Sequence, residues 1–266
     1  MKQSIAILGA RGSVPVGGEA CLRYGGATSC VAVHLAGQTL VLDAGTGLLS
    51  FAKLRSEERV IHLLLSHPHA DHLLGFSLCP IILDARNHLH IYAAPRGGRS
   101  AEEQLRALMS PPLWPVTANE LPATFSFHDL PNHFSIGEVT VDTMEGVHPG
   151  GVSLLRLSGG GRSVVYATDC TLTEELLPRL TEFARDCDLL LCDGQYRDEE
   201  WGGRQNFGHS TWTAAAQLGL ACGAKNVRII HHDPFRSDDE LDAGIPLLQS
   251  IHPRCTFARE GEEIEL

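Results

Sequence analysis

Four side chains that can bind a metal ion lie within six residues, in the segment His67-Pro68-His69-Ala70-Asp71-His72. The apolar run 60–65 before this segment is short enough to be a strand buried on both faces. On extended backbone, residues two apart point the same way, so His67 and His69 can bind one ion together. Asp71 and His72 follow where the chain turns, and they face a different point. Three imidazoles and a carboxylate suit zinc-like cations, and one ion would leave a donor unused. The segment therefore predicts two ions, and the alternative is a polar loop that is rich in histidine.

Two ions need more ligands, and residues near later strand ends can supply them. His148 follows a predicted strand and precedes Pro149-Gly150-Gly151, so it can complete the set that His67 and His69 begin. Asp169 also ends a predicted strand. A carboxylate is the best bridge between two cations because each of its oxygens can bind one.

A further histidine at a strand end completes the second set of ligands. The run 228–232, which ends in His231 and His232, has the same pattern as the run 63–67, which ends in His67. Aligning the two runs predicts His232, rather than His231, as the ligand. A single histidine at a strand end is more often structural than a ligand, but together these residues predict two ion sites. The first site comprises His67, His69, His148 and Asp169, and the second comprises Asp71, His72, His232 and Asp169.

The segment 67–72 resembles the H-x-H-x-D-H signature of the metallo-β-lactamase-fold superfamily. The resemblance implies a two-metal hydrolase with an α/β fold, a four-layered αββα sandwich in which helices flank two mixed β-sheets. Asp43, at the end of a predicted hairpin, resembles the superfamily's first-motif aspartate, which supports the metal loop from behind.

A second motif narrows the resemblance. Gly208-His209-Ser210-Thr211 is similar to the G-H-S-T block of the phosphodiesterase branch, which includes tRNA 3′-processing endonucleases (RNase Z) and small cyclic-phosphate phosphodiesterases. In that branch the histidine that matches His209 assists the leaving oxygen and is not a ligand; the alternative is a plain loop that caps a helix. The resemblance implies attack at phosphorus by a metal-bridging hydroxide, with Asp71 orienting it or taking its proton. The predicted catalytic residues are thus Asp71 and His209, and the predicted metal is zinc, with manganese or iron as alternatives.

The net charge of −11 restricts the substrate. Such a surface disfavours nucleic acid, which is bound through clustered Lys and Arg. The segment 77–147 has four arginines and no lysine, whereas RNase Z carries a long basic arm. We therefore expect a small anionic phosphodiester, cyclic or open, as the substrate, with an RNase Z-like tRNA endonuclease as the alternative. A non-catalytic metal-bearing sensor or binding protein is a further alternative, against which the intact ligand set argues.

Composition indicates a globular chain that stays in the cytoplasm. Residues 1–5 lead directly into a strand-like run with no apolar signal region, and no apolar run approaches the roughly 18 residues of a membrane span. The eight cysteines include no C-x-x-C pair, which is typical of buried thiols in a reduced compartment. We expect a cytoplasmic protein without a membrane partner, and a homodimer is left open.

The predicted elements must bring the ligands together at strand ends. Apolar and alternating runs predict a first strand over 4–9, hairpins over 29–42 and 153–167, and buried strands over 60–65, 188–192 and 227–230. Helices are predicted over 48–54, from 73 to about 79, over 100–109, from a Thr171 capping box to about 185, and over 211–221 and 238–249. Two halves, about 1–133 and 134–266, share a similar order of elements. No linker separates them, so we expect a single domain over 1–266.

Overall fold

The computed structural model describes residues 3–54 and 59–266, whose strands form two sheets of seven strands each. In chain order the strands are β1 (Ser4–Gly9), β2 (Cys30–Leu35), β3 (Gln38–Leu42), β4 (Val60–Leu65), β5 (His88–Ala93), β6 (Thr124–Asp129), β7 (His133–Ile136), β8 (Val139–Gly146), β9 (Val152–Gly159), β10 (Arg162–Ala167), β11 (Leu189–Asp193), β12 (Val227–Ile230), β13 (Cys255–Phe257) and β14 (Glu263–Glu265). The α-helices are α1 (Leu48–Leu54), α2 (Ala101–Leu108), α3 (Leu177–Phe183), α4 (Trp212–Ala221) and α5 (Asp238–Ile251).

Both sheets are mixed. The first has the order β14-β1-β2-β3-β4-β5-β6, in which β3 to β6 are parallel and the other pairs are antiparallel. The second has the order β13-β12-β11-β10-β9-β8-β7, in which β10 to β13 are parallel and β7 to β10 are antiparallel. Parallel strands are normally covered on both faces, which agrees with the apolar sequence of β11, buried along its whole length, whereas β5 alternates between buried and half-buried residues.

Apolar side chains form three layers around these sheets. Leu42 of the first sheet and Leu191 of the second belong to the cluster between the sheets. Phe51 of α1 belongs to a cluster on the outer face of the first sheet, and Leu218 of α4 belongs to a cluster on the outer face of the second. Side chains of a strand alternate between faces, so each sheet contributes to the central layer and to one outer layer. The predicted four-layered αββα sandwich is confirmed.

The parallel strands deliver the candidate site residues to one edge of the sandwich. In the first sheet β3 ends just before Asp43, and the neighbouring β4 ends just before the segment 66–72. In the second sheet β10, β11 and β12 lie side by side, and their carboxyl ends lead to the residues at 169, 193 and 231. A backbone hydrogen bond from Ser153 N to Ser66 O (2.9 Å) joins the two sheets at this edge. Carboxyl ends of parallel strands are where α/β proteins commonly bind ligands.

The helix predicted after His72 is wrong. The chain forms short 3₁₀ turns there, at Ala70–His72, Phe76–Leu78 and Pro80–Leu83. Gly75 N donates to Ala44 O (2.9 Å), outside any helix. A Cβ at Gly75 would lie 1.9 Å from the carbonyl oxygen of Gly45, so only glycine permits this close approach. Packing of this segment against the loop after β3 therefore outweighs its helical pattern.

Most of the other predicted elements are confirmed. The two hairpins are β2–β3 and β9–β10, and the buried strand over 227–230 is β12. The helix predicted from Thr171 begins only at Leu177, because Thr173 rather than Thr171 caps the preceding turn, its Oγ1 accepting from Leu176 N (3.2 Å).

The chain passes from the first sheet to the second between Asp129 and His133, near the predicted boundary between the halves, and β14 returns to the first sheet. The single domain over 1–266 stays a prediction. In the part of the chain that the structure describes, no helix is long and apolar enough to cross a membrane. All eight cysteines are buried and outside disulfide bonds.

Candidate metal centre

The four residues predicted for the first ion converge. One potential ligand atom from each of His67, His69, His148 and Asp169 lies within 4.8 Å of the others. His148 Nε2 is 3.1 Å from His69 Nδ1 and 3.9 Å from Asp169 Oδ2. His67 Nε2 is 3.6 Å from the same carboxylate oxygen. Ligand atoms bound at about 2.0–2.1 Å to a tetrahedral ion lie about 3.3 Å apart, so these separations suit one divalent cation.

A second group shares Asp169 with the first. It comprises Asp71, His72, Asp169 and His231, all of which are buried. His231 Nε2 lies 3.1 Å from Asp71 Oδ2 and 3.2 Å from Asp169 Oδ2. His72 Nε2 lies 3.2 Å from Asp169 Oδ1. The two oxygens of Asp169 thus face both groups, as a bridging carboxylate would.

The predicted ligand His232 lies outside both groups. The second group contains His231 instead, so the prediction of His232 as a ligand is wrong. His232 Nε2 donates to Ala258 O (2.8 Å), and its ring packs edge-on against Phe257. Burial lowers the pKa of His232 to about 3. Its backbone N donates to Ala10 O (2.9 Å), which extends the strand pairing beyond β12 and turns the side chain away.

His231 reaches the centre because its backbone is left-handed, with φ +61°. Asp43 and Asp169, which also follow parallel strands, have φ of +59° and +48°. Non-glycine residues rarely adopt this conformation, and they do so where the surrounding structure enforces it, often at functional sites. The same kink at three strand ends turns three side chains toward one region.

Hydrogen bonds fix two of the imidazoles with their Nε2 atoms directed inward. His72 Nδ1 donates to Asp43 Oδ2 (2.7 Å). Ser66 Oγ donates to the same oxygen (2.8 Å), so it accepts from His67 Nδ1 (3.0 Å). Nε2 of His67 and Nε2 of His72 are both buried and have no hydrogen-bond partner. Buried polar atoms are almost always paired, and a cation would pair these two. The donors therefore fit divalent metal ions, and Asp43 supports the loop from behind as predicted.

The carboxylates of the centre are held in their charged form. Burial raises the pKa of Asp71, but the nearby His72 and the hydrogen bond with His231 hold that pKa well below its ordinary value. Burial opposes ionisation of Asp169 as well, and the charges of His231 and His72 outweigh it and lower the pKa. Ionised carboxylates are the form that binds cations.

His209 lies beside the second group and is paired with a buried aspartate. Its Nδ1 donates to Asp193 Oδ2 (2.7 Å), and its ring stacks on His231 with 4.7 Å between centroids. The other oxygen of Asp193 accepts from Ser210 N (2.9 Å) and Gln195 N (3.2 Å). Asp193, His209, His231 and Asp169 also form a group that could hold an ion. The role of His209 as a proton donor stays a prediction.

Sequence reasoning missed two residues of this site. Asp193 ends the buried strand Leu189–Asp193. The sequence pattern could have identified it, because Asp43 and Asp169 also lie at strand ends. Ser13 is the other: its backbone N donates to Asp71 Oδ2 (2.8 Å). A Cβ at the neighbouring Gly12 would lie 2.4 Å from His231 Nδ1, so the glycine lets this loop approach the centre. No local pattern distinguishes such a loop from an ordinary connection.

Residues 38–232 match the family model described as beta-lactamase superfamily domain, and the chain belongs to this family. The predicted membership of the metallo-β-lactamase-fold superfamily is therefore confirmed. Over 106 residues the chain is 36% identical to a ribonuclease Z of Gemmatimonas aurantiaca, a match that covers 40% of this chain and 32% of the ribonuclease.

Two solved structures share the fold. The crystal structure of the metallo-beta-lactamase fold protein YhfI from Bacillus subtilis has a TM-score of 0.76 at 19% identity, covering 99% of both chains. A diphosphatase from the PhnP family has a TM-score of 0.73 at 17% identity, covering 100% of this chain and 98% of the other.

Proposed function

We propose that the protein is a hydrolase that uses two divalent transition-metal ions and cleaves a small or cyclic phosphodiester. The observation that carries this proposal is the convergence of two groups of donors on the shared carboxylate of Asp169, with His209 beside them. The first ion would be held by His67, His69, His148 and Asp169, and the second by Asp71, His72, Asp169 and His231. Imidazole and carboxylate donors in this number favour zinc, with manganese or iron as alternatives.

Two bound cations would lower the pKa of a water molecule and neutralise charge on the phosphoryl oxygens. The residues of the chain supply the proton transfers. Asp71 would orient the attacking water or take its proton, and the hydrogen bond from Ser13 N holds its Oδ2 in place. His209 is held at Nδ1 by Asp193, which leaves Nε2 to donate a proton to the leaving oxygen.

The charge of the chain supports a small substrate. A net charge of −11 repels a polyanion over a Debye length of roughly 8 Å at physiological salt. A single phosphodiester is held at the centre itself, where two cations outweigh the more distant field. We also propose that the enzyme acts in the cytoplasm, which is supported by its eight buried cysteines outside disulfide bonds.

A second candidate is a tRNA 3′-processing endonuclease, which is favoured by the 36% identity to a ribonuclease Z. Phosphodiester hydrolysis by the same residues would serve both reactions. The two candidates differ in the surface that holds the substrate, because binding of tRNA needs basic side chains beyond the metal centre.

The test is a substrate panel on protein stripped with a chelator and reloaded with two equivalents of zinc. The panel contains bis(p-nitrophenyl) phosphate, 2′,3′- and 3′,5′-cyclic nucleotides and a precursor tRNA, each at two salt concentrations. We expect a higher kcat/KM for a small phosphodiester than for the tRNA. Efficient tRNA cleavage that falls steeply with salt would establish the second candidate. Full metal loading without hydrolysis of any phosphodiester would overturn the proposal.

A further inference from the structure

A cavity of about 430 Å³ opens beside the candidate metal centre. Its walls are mostly apolar and come from the segment that carries His69, from the loop after His148 and from α2. The apolar side chains that line it are Pro68, Ala70, Leu73, Ala107, Leu108 and Pro149. Pockets of about 300–1,000 Å³ with apolar walls and a few polar groups are typical of small-molecule sites.

His69 borders both this cavity and the group proposed for the first ion. Its Nδ1 faces His148 Nε2 at 3.1 Å, within the group proposed for the first ion. Its Nε2 faces the loop at Gly150, where a Cβ would lie 3.9 Å away. A substrate whose phosphate sits at the centre can therefore extend one ester group past His69 into the cavity.

Besides His69, three polar side chains line the cavity, and they differ in the hydrogen bonds that they already make. The guanidinium of Arg96 is already hydrogen-bonded within the protein, since it donates to Glu145 Oε2 (2.8 Å) and Ser153 Oγ (2.9 Å). Gln104 donates its side-chain amide hydrogens to Ala94 O (2.8 Å) and Arg99 O (3.0 Å), so its amide oxygen is the group left to accept a hydrogen bond.

Arg99 is the cation that remains. It is exposed, and within the described ranges 3–54 and 59–266 its guanidinium makes no ion pair. The two acidic residues that follow it are bound elsewhere: Glu102 Oε1 accepts from Arg106 Nε (2.9 Å), and Glu103 Oε2 accepts from Ser100 N (2.8 Å) in the capping box of α2. The cavity thus combines apolar walls, one hydrogen-bond acceptor and the exposed guanidinium of Arg99.

We infer that this cavity binds the ester group of the phosphodiester that stays on phosphorus, and that this group is an uncharged heteroaromatic ring with the chemistry of a nucleobase. The inference rests on the proposed function. A guanidinium stacks on aromatic faces and donates to ring acceptors, and the oxygen of Gln104 accepts from an exocyclic N–H. An alkyl group would use neither side chain, and a second anion would use Arg99 but would face the acceptor oxygen of Gln104 and an Arg96 that is already neutralised by Glu145.

The test compares three phosphodiesters that share the nitrophenolate leaving group: methyl, phenyl and thymidine 5′ esters of p-nitrophenyl phosphate. We expect kcat/KM to be at least about tenfold higher for the thymidine ester than for the methyl ester, with the phenyl ester between them. Arg99→Ala should reduce this ratio about fivefold, the scale of one cation–π contact. Ala107→Trp, which fills the cavity, should bring the ratio close to one.

Arg106→Ala is the matched control, because Arg106 lies on α2, pairs with Glu102 (2.9 Å) and does not line the cavity. It should keep the wild-type ratio. Binding of thymidine 5′-monophosphate and of methyl phosphate, measured by calorimetry, gives a readout that needs no turnover. Arg99→Ala should weaken the nucleotide about fivefold and leave methyl phosphate unchanged.

The two proposals fail in different ways. Hydrolysis of all three esters at equal kcat/KM, with Arg99→Ala behaving like Arg106→Ala, would overturn the cavity assignment and leave the phosphodiesterase. Absence of hydrolysis together with Arg99-dependent nucleotide binding would overturn the phosphodiesterase and leave the cavity assignment.

Discussion

The hydroxyl of Tyr166 donates a hydrogen bond of 2.8 Å to Oδ2 of Asp43, directly behind the candidate metal centre. Tyr166 belongs to β10 of the second sheet, whereas Asp43 follows β3 of the first. Burial raises the pKa of Tyr166, so its hydroxyl stays protonated and donates. Because Asp43 also accepts from His72 Nδ1 and Ser66 Oγ, this contact couples the packing of the two sheets to the orientation of the ligands.

Tyr166→Phe removes this donor and leaves the ring. We expect metal affinity to fall roughly tenfold, because partners of the ligands tune affinity on that scale. The free energy of unfolding should fall by about 1 kcal/mol. Titration against a competing chelator measures the affinity. Tyr92→Phe is the control, since Tyr92 pairs with His62 (3.3 Å) away from the centre. Equal effects of both substitutions would contradict the coupling.

The assignment of His231, rather than His232, as a metal ligand can be tested by substitution. Wild-type protein purified without chelator should contain close to two transition-metal ions per chain. His231→Ala should lose one of them, because the second group then lacks a donor. His232→Ala should keep both and lose about 1–3 kcal/mol of unfolding free energy, because Ala258 O is left without its donor. Mass spectrometry of the metal content decides the matter, and loss of an ion only from His232→Ala would reverse the assignment.

The bridging role of Asp169 predicts a different result. Asp169→Ala removes a donor from both groups at once, so it should lose most of the second ion and weaken the first. Its metal content should be lower than that of Asp71→Ala, which removes a donor from one group. If the two variants retain equal metal, Asp169 does not bridge.

His209 is predicted to act as an acid and not as a ligand. His209→Ala should keep its metal and lose about 10²–10⁴ in turnover, the usual scale for a positioned acid. The loss should shrink for a nitrophenolate leaving group, which hardly needs protonation. Asp193→Asn should also lose turnover, by a smaller factor, and this loss should likewise shrink for a nitrophenolate leaving group. The amide at position 193 orients His209 Nδ1 less well than the carboxylate does. Loss of metal from His209→Ala would show that it is a ligand.

A cluster of histidines away from the centre predicts a loss of stability in acid. Burial, together with His90, His128 and His88, lowers the pKa of His62 to about 4. The folded protein therefore binds fewer protons than the unfolded chain between pH 6.5 and about 4. The stability from His62 is present above that window and is lost as the pH falls through it. Urea unfolding of metal-loaded protein at pH 7.5 and pH 5 should show a smaller acid loss for His62→Gln than for wild type. An equal loss would mean that His62 does not contribute.

The sequence by itself determined the segments whose information is local. The strand over 227–230 and the hairpins β2–β3 and β9–β10 follow from apolar or alternating runs. The helix predicted over 211–221 is α4, and Thr211 caps it, its side chain accepting from Ala214 N. The segment 67–72 indicated the superfamily and the metal chemistry because its donors are spaced along one short stretch of backbone.

The tertiary structure decided which distant residues meet. Whether His231 or His232 faces the centre depends on a left-handed backbone at His231 and on the pairing of His232 with Ala10, and neither is encoded in a strand-end pattern. Asp193 becomes the partner of His209 because the chain before α4 folds back against the loop after β11, where Tyr196 N donates to Ser210 O (3.1 Å) and Ser210 N donates to Asp193 Oδ1 (2.9 Å). The turns after His72 replaced a helix because Gly75 packs against the loop at Gly45, a contact between segments thirty residues apart. Contacts of this kind depend on how elements pack, and local propensity carries no information about them.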